Sequence, residues 1–125
     1  MISKRPQMGI ILFAHGSRDP LWRLPIEAVA ERMRALSPEI VVDCAYLEMT
    51  TPDLAETVKE MAGKSIQKIC IVPMFLGVGR HAREDLPVLV RKLQNAYPQI
   101  EFELRKAMGE EMAITEAMAK VALSI

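Results

Sequence analysis

At 125 residues the chain is sized for one domain, spanning 1–125, that buries roughly two thirds of its unfolded surface in a single core. Sixteen basic residues balance sixteen acidic ones, which excludes a protein that coats nucleic acid through a positive excess and leaves any charged ligand to a local patch. Cys44 and Cys70 lie in apolar runs, without a second Cys or a His at zinc-finger spacing, and read as buried small residues in a reducing compartment.

The start, "MISKRPQMGIILFAHG", sets basic residues before an apolar run too short for a signal peptide and lacking a small-residue cleavage site. No stretch approaches the ~18 apolar residues of a membrane span, so a soluble cytoplasmic protein is expected. The run "MGIILFA" (8–14) predicts a strand buried on both faces, and Ile26, Val29, Ala30, Met33 and Leu36 then recur at helical spacing. "IVVDCAYL" (40–47) predicts a second strand, and Leu54, Val58 and Met61 a short helix capped by Asp53. "IQKICIV" (66–72) predicts a third strand, followed by a helix carrying Leu86, Leu89, Val90 and Leu93. "IEFEL" (100–104) alternates strictly, as a half-exposed edge strand does, and Met112, Met118 and Val121 mark a last helix. The other methionines at helical positions read as adaptable core.

This β-α-β-α-β-α-β-α order calls for an α/β fold, a doubly wound, four-stranded parallel sheet with right-handed crossovers, and the strand order expected is 2-1-3-4. No repeat, linker or low-complexity segment divides it. Helices after strands 1 and 2 cover opposite faces, so a crevice opens between the carboxyl ends of strands 1 and 3, where ligands of such sheets bind. His15 ends strand 1, Glu48 ends strand 2, and "PMFLGVGRHARED" (73–85) follows strand 3 with His81. Both histidines of the chain therefore point to one place.

The connection from Pro73 to Glu84 is long for a βα loop, which usually takes ~2 to 6 residues. Asp85 is the expected helix N-cap, with Pro87 in the first turn, which sets His81 just before the helix. Two imidazoles and a carboxylate suit a divalent ion such as Co²⁺, Ni²⁺, Fe²⁺ or Zn²⁺, and neutral imidazole accepts protons near neutral pH. The plainer alternatives are a structural hydrogen-bonder for each histidine, glycines that only turn the loop, and a solvated Glu48. Arg18, Arg23, Arg80 and Arg83 concentrate positive charge at the crevice, suited to carboxylate or phosphate unless spent on Asp19, Glu84 or Asp85. Trp22 is read as core, as a stacking platform or as an interface plug.

Several activities are excluded. "AHGSR" lacks the Arg that a histidine phosphatase sets before its His, since Ala14 stands there, which speaks against phosphate transfer through His15. Neither a G-x-S-x-G elbow nor a P-loop is present, so no nucleotide cofactor is expected.

Together "LFAHGSRDP", "AYLEMTTPD" and "VPMFLGVGRHAREDLP" resemble the small CbiX-type sirohydrochlorin chelatases, relatives of the ATP-independent cobalt and iron chelatases. The resemblance covers most of the chain and implies a flavodoxin-like half of a chelatase. It implies insertion of a divalent metal, Co²⁺ foremost and Fe²⁺ or Ni²⁺ otherwise, into sirohydrochlorin in cobalamin, sirohaem or related biosynthesis. By motif, His15 and His81 become metal ligands and proton acceptors, with Glu48 as an accessory ligand or acceptor. Ser17, Arg18, Gly79, Arg80 and Arg83 become the substrate-binding set. Larger relatives carry two facing domains, so a homodimer with its cleft between protomers is expected. The competing reading is a carrier of the tetrapyrrole or metal, which saturates instead of turning over.

Overall fold

A computed structural model describes residues 7–124; the basic Lys4 and Arg5 of the start lie outside the described residues. Four parallel strands, β1 (Gln7–Ala14), β2 (Val41–Tyr46), β3 (Ile66–Pro73) and β4 (Glu101–Leu104), form one sheet in the order β2-β1-β3-β4. The expected topology is the one observed. β1 runs between β2 and β3, with Ala14 beside Tyr46 and Phe13 beside Pro73, so the central strands end almost level.

Alternation along the central strands feeds two cores. Ile11, Phe13, Ala45, Ile69 and Ile71 face α2 (Leu54–Gly63) and α3 (Arg80–Ala96), where Val58, Met61, Leu86 and Leu93 meet them. Leu12, Val42 and Val72 face the other way, where α1 (Leu24–Leu36) contributes Ala30, Ile26 and Met33. Met61 is wholly buried, and its Sδ would lie 2.7 Å from a Cβ on Gly9, so the strand admits the methionine only because residue 9 lacks a side chain.

Capping follows the sequence at α2, where the Asp53 carboxylate accepts from the Glu56 amide at 2.8 Å and the Glu56 carboxylate accepts from the Asp53 amide at 3.0 Å. At α3 the expectation is corrected. Its N-cap is Gly79, not Asp85, and the helix runs through Pro87. The ring removes only the amide that would bond the Arg83 carbonyl, a cost of ~3 kcal/mol that the packing of Leu86 and Leu93 offsets. His81 thus lies in the first helical turn, and the loop shortens to residues 74–79.

Three smaller expectations also change. Val29 and Leu36 of α1 are exposed, because the α1 stripe against the sheet is narrower than the periodic set. Cys44 on edge strand β2 is only half-buried, while Cys70 on β3 is buried. The last helix, α4 (Met112–Leu123), follows the short 3₁₀ turn η1 (Met108–Glu110) but buries none of its residues. Among the described residues no helix is long and apolar enough to cross a membrane.

Met61→Ala should lower the unfolding free energy by about 2–5 kcal/mol in urea titration, because a fully buried side chain between α2 and β1 leaves a cavity that the sheet cannot close.

Candidate functional site at the carboxyl edge

β1 ends in a buried Ala14, and the next residue, His15, is exposed. Two residues beyond Phe13, His15 continues its side of the pleat, so the imidazole stands over the α2/α3 core. There it stacks on Phe75, with ring centroids 4.3 Å apart and planes at 30°. Phe75, itself buried, meets Phe13 edge-on at 6.2 Å. Three rings therefore run from the core to the surface.

Glu48 lies two residues past β2, on a loop zipped to the end of β1. The Leu47 amide donates to the Ala14 carbonyl (2.9 Å) and the Glu48 amide to the His15 carbonyl (3.0 Å). Gly16 makes this approach, with φ of 98° and no room for a Cβ beside the Glu48 carbonyl. Thr50 completes the brace: its Oγ1 accepts from the Ser17 amide at 3.0 Å and donates to the Ser17 carbonyl at 2.7 Å. Met49, between them, is held at φ 62°, a left-handed conformation that side-chain-bearing residues adopt only under constraint.

The expected binding residues divide by what already occupies them. The Ser17 hydroxyl accepts from the Asp19 amide (3.0 Å) and so shapes its own loop. Arg80 pairs with Glu84 at 3.2 Å, but with 81% and 62% of the two side chains exposed the pair contributes only about 0–1 kcal/mol and is exchangeable. Arg18 and Arg83 are exposed and have no carboxylate within 4.0 Å among the described residues. Gly79, Arg80, His81 and Ala82 open α3, and their amides and the helix dipole favour anions at this edge.

His15 and Glu48 lie on the first two βα connections and His81 in the first turn of α3, all at the carboxyl edge. They do not close into a cage: among the described residues no three of His, Cys, Asp or Glu come together to hold a metal ion. Apolar side chains share the βα connections, where Leu21, Trp22, Leu47, Met49 and Leu76 are all exposed. Trp22 is rim rather than core, edge-on to Tyr46 at 6.2 Å. An edge that mixes guanidinium, imidazole and apolar surface suits a large flat anion carrying carboxylates.

A cavity of about 430 Å³ lies apart from the imidazoles, along β2 between α1 and α2. Cys44 and Tyr46 line it together with Arg23, Arg34 and four acidic residues, Glu27, Glu31, Asp43 and Glu60. Burial pushes the Tyr46 hydroxyl up to about 12 and raises the Cys44 thiol, so both stay protonated at neutral pH.

Two contributors carry no mark in the sequence pattern. Thr50 reads as a polar loop residue until its bonds to Ser17 are seen, and Gly109 of η1 reaches the Phe75 loop only through the β4–α4 connection. Phe75 itself had one available signal, its place in the segment 73–85 after β3.

A four-stranded parallel sheet with imidazoles at the carboxyl edge defines a protein of the chelatase-like α/β class. The sequence profile of the CbiX family matches residues 9–124, and the chain belongs to that family. It is 32% identical over 83 residues to the sirohydrochlorin cobaltochelatase of Methanopyrus kandleri, a stretch covering 66% of this chain and 58% of that protein. Over 119 residues it is 28% identical to the sirohydrochlorin cobaltochelatase of Saccharolobus solfataricus, covering 90% and 91%. The match thus spans less than two thirds of the first of these relatives and nearly all of the second. Among solved structures, a CbiX protein from Marinobacter aquaeolei VT8 superposes with a TM-score of 0.81 at 30% identity, covering 92% of this chain and 93% of that one. The cobalt complex of the sirohydrochlorin chelatase SirB from Bacillus subtilis subspecies spizizenii gives 0.79 at 23% identity, covering 95% of this chain and 51% of that one.

Thr50→Val keeps the side-chain shape but removes both bonds to Ser17. A loss of about 1–3 kcal/mol is expected in thermal or urea unfolding, with faster hydrogen exchange at the Ser17 amide.

Proposed function

We propose that the protein is an ATP-independent chelatase that inserts a divalent ion, Co²⁺ foremost and Fe²⁺ or Ni²⁺ otherwise, into sirohydrochlorin. The observation that carries this reading is the placement of both histidines of the chain at the carboxyl edge, amid arginines and exposed apolar side chains. The activity named for the Methanopyrus and Saccharolobus relatives supports it.

Metallation exchanges one dication for two pyrrole N–H protons, so the site must hold an ion loosely and accept protons. Imidazole performs both tasks near neutral pH. His15 and His81 act as ligands and proton acceptors, and Glu48 is the accessory ligand or proton acceptor. Fewer than three converging ligands per chain suits an ion in transit, which must leave for the four nitrogens of the macrocycle. Arg18, Arg83 and the exchangeable Arg80 take peripheral carboxylates, joined by the amides that open α3 from Gly79 onward. Leu21, Trp22, Leu47, Met49 and Leu76 meet the ring faces. Ser17 contributes by holding the Arg18 loop.

The chain as given forms one chelatase domain, and two copies face each other across the cleft. Two observations support the pairing: the chain matches only 51% of the SirB chain, and α4 leaves Met112, Val121 and Leu123 between 74% and 79% exposed. A 12-residue helix without tertiary burial is marginal in water, which favours cover from a second molecule. The free thiols of Cys44 and Cys70 fit a reducing cytoplasm.

Absorbance-monitored metallation of sirohydrochlorin with Co²⁺, Fe²⁺ and Ni²⁺ in turn, without ATP, should show many turnovers per protomer above the uncatalysed rate. Saturation at one macrocycle per protomer would instead identify a carrier. His81→Ala should reduce the rate to the uncatalysed level with an unchanged melting temperature, since its side chain lies outside the core. In sedimentation, the chain should run as a dimer at micromolar concentration; a monomer with full activity would remove the dimer from the reading.

A further inference from the structure

The imidazole of His15 makes no hydrogen bond to any described residue, although a ligand histidine is ordinarily oriented by a polar partner on its second nitrogen. Its ring instead stacks on Phe75, with centroids 4.3 Å apart. We infer that Phe75 is the positioning residue for His15 and that Gly109, from the far end of the chain, locks Phe75 in place. This rests on the chelatase reading for the role of His15, but the contacts themselves do not.

Phe75 is held from three sides. Its ring meets Phe13 at 6.2 Å and 64°, an edge-to-face contact inside the core. On one flank the Met74 amide donates to the Phe13 carbonyl at 2.7 Å, carrying the β1–β3 ladder one step past the strand. On the other, the Gly109 amide donates to the Phe75 carbonyl at 2.8 Å, and a Cβ on Gly109 would overlap the Leu76 carbonyl oxygen. Only glycine lets η1 come this close. The Leu76 side chain is 71% exposed and anchors nothing, so the peptide after Phe75 is fixed by the η1 contact.

Stacking fixes the imidazole differently from a hydrogen bond. A carboxylate or carbonyl partner would tie up one nitrogen, select a tautomer and raise the basicity of the other. The Phe75 face restrains the ring plane yet leaves both edges free: the in-plane lone pair of one nitrogen and the N–H of the other, in either tautomer. A group that binds an ion and accepts a proton in one cycle uses that lone pair for each in turn, so it needs a fixed plane and no partner that ties it to one tautomer. Phe75 supplies the plane without consuming a nitrogen.

The test combines the NMR signals of the His15 ring protons in the metal-free protein with steady-state metallation. In the wild type the ring current of Phe75 displaces those signals. Phe75→Leu, which fills the space without a π-face, should return them towards free-imidazole positions, and Gly109→Ala should shift them partway. Phe75→Tyr, which keeps the ring, should preserve them. With Co²⁺ and sirohydrochlorin, Phe75→Leu and Gly109→Ala should lower kcat roughly ten- to a hundredfold, as small misplacement of a reacting group does, with KM for the macrocycle within about twofold. Phe75→Tyr should restore kcat.

His15 signals unmoved by Phe75→Leu would overturn the positioning role whatever the activity. A moved signal with kcat unchanged would overturn its catalytic consequence. If His15→Ala metallates normally while Phe75→Leu still moves the signals, the positioning contact stands and the chelatase role of His15 is what fails.

Discussion

Everything at the carboxyl edge depends on how firmly β1 is held between its neighbours. β1 is paired on both sides along most of its length, and its last residues Ile11 to Ala14 are all buried. The ladder does not stop where the strand stops: main-chain bonds continue from Ala14 and His15 to Leu47 and Glu48, and from Phe13 to Met74. The imidazole therefore emerges from a backbone fixed on both sides. Buried parallel sheets give this rigidity without cost, because both faces are already covered by helices.

Three strands were legible because burial on both faces leaves runs rich in Ile and Val, and β4 because half-exposure leaves strict alternation; the parallel sheet followed from the β-α order and the hand of its crossovers. Residues at the ends of those runs, His15 and Glu48, were legible for the same reason. The start of α3 was not. Pro87 and Asp85 look like a helix beginning, and local propensity favours that start, whereas the packing of Leu86 and Leu93 carries the helix through the proline and back to Gly79. Tertiary burial outweighed a local rule, and His81 moved from loop to first helical turn.

Contacts between segments distant in sequence were illegible for a deeper reason. Gly109 looks like any glycine, and only its approach to Leu76 and Phe75 gives it a role. Thr50 is likewise polar and unremarked until it bridges to Ser17. Periodicity reports which face of an element is buried, not which loop another loop will touch. The apolar stripe of α4 shows the complementary limit: its helical period was correct, but an apolar residue marks a surface to be covered without naming the cover.

The edge also shows how a chain of zero formal charge keeps positive charge at one place. Its guanidinium groups are placed where solvent is plentiful, and the pairs that form, Arg80 with Glu84 and Arg23 with Glu27, are solvent-accessible and easily exchanged. Paired arginines such as Arg34, which donates to the Val42 carbonyl at 2.6 Å, instead close the open edge of β2. The division is spatial rather than compositional. Arg34 along the strand edge is spent on the fold, whereas Arg18 and Arg83 beyond the strand ends have no carboxylate within 4.0 Å among the described residues. Chemistry at this edge then varies with the loops, while the core beneath fixes the spacing of the groups that perform it.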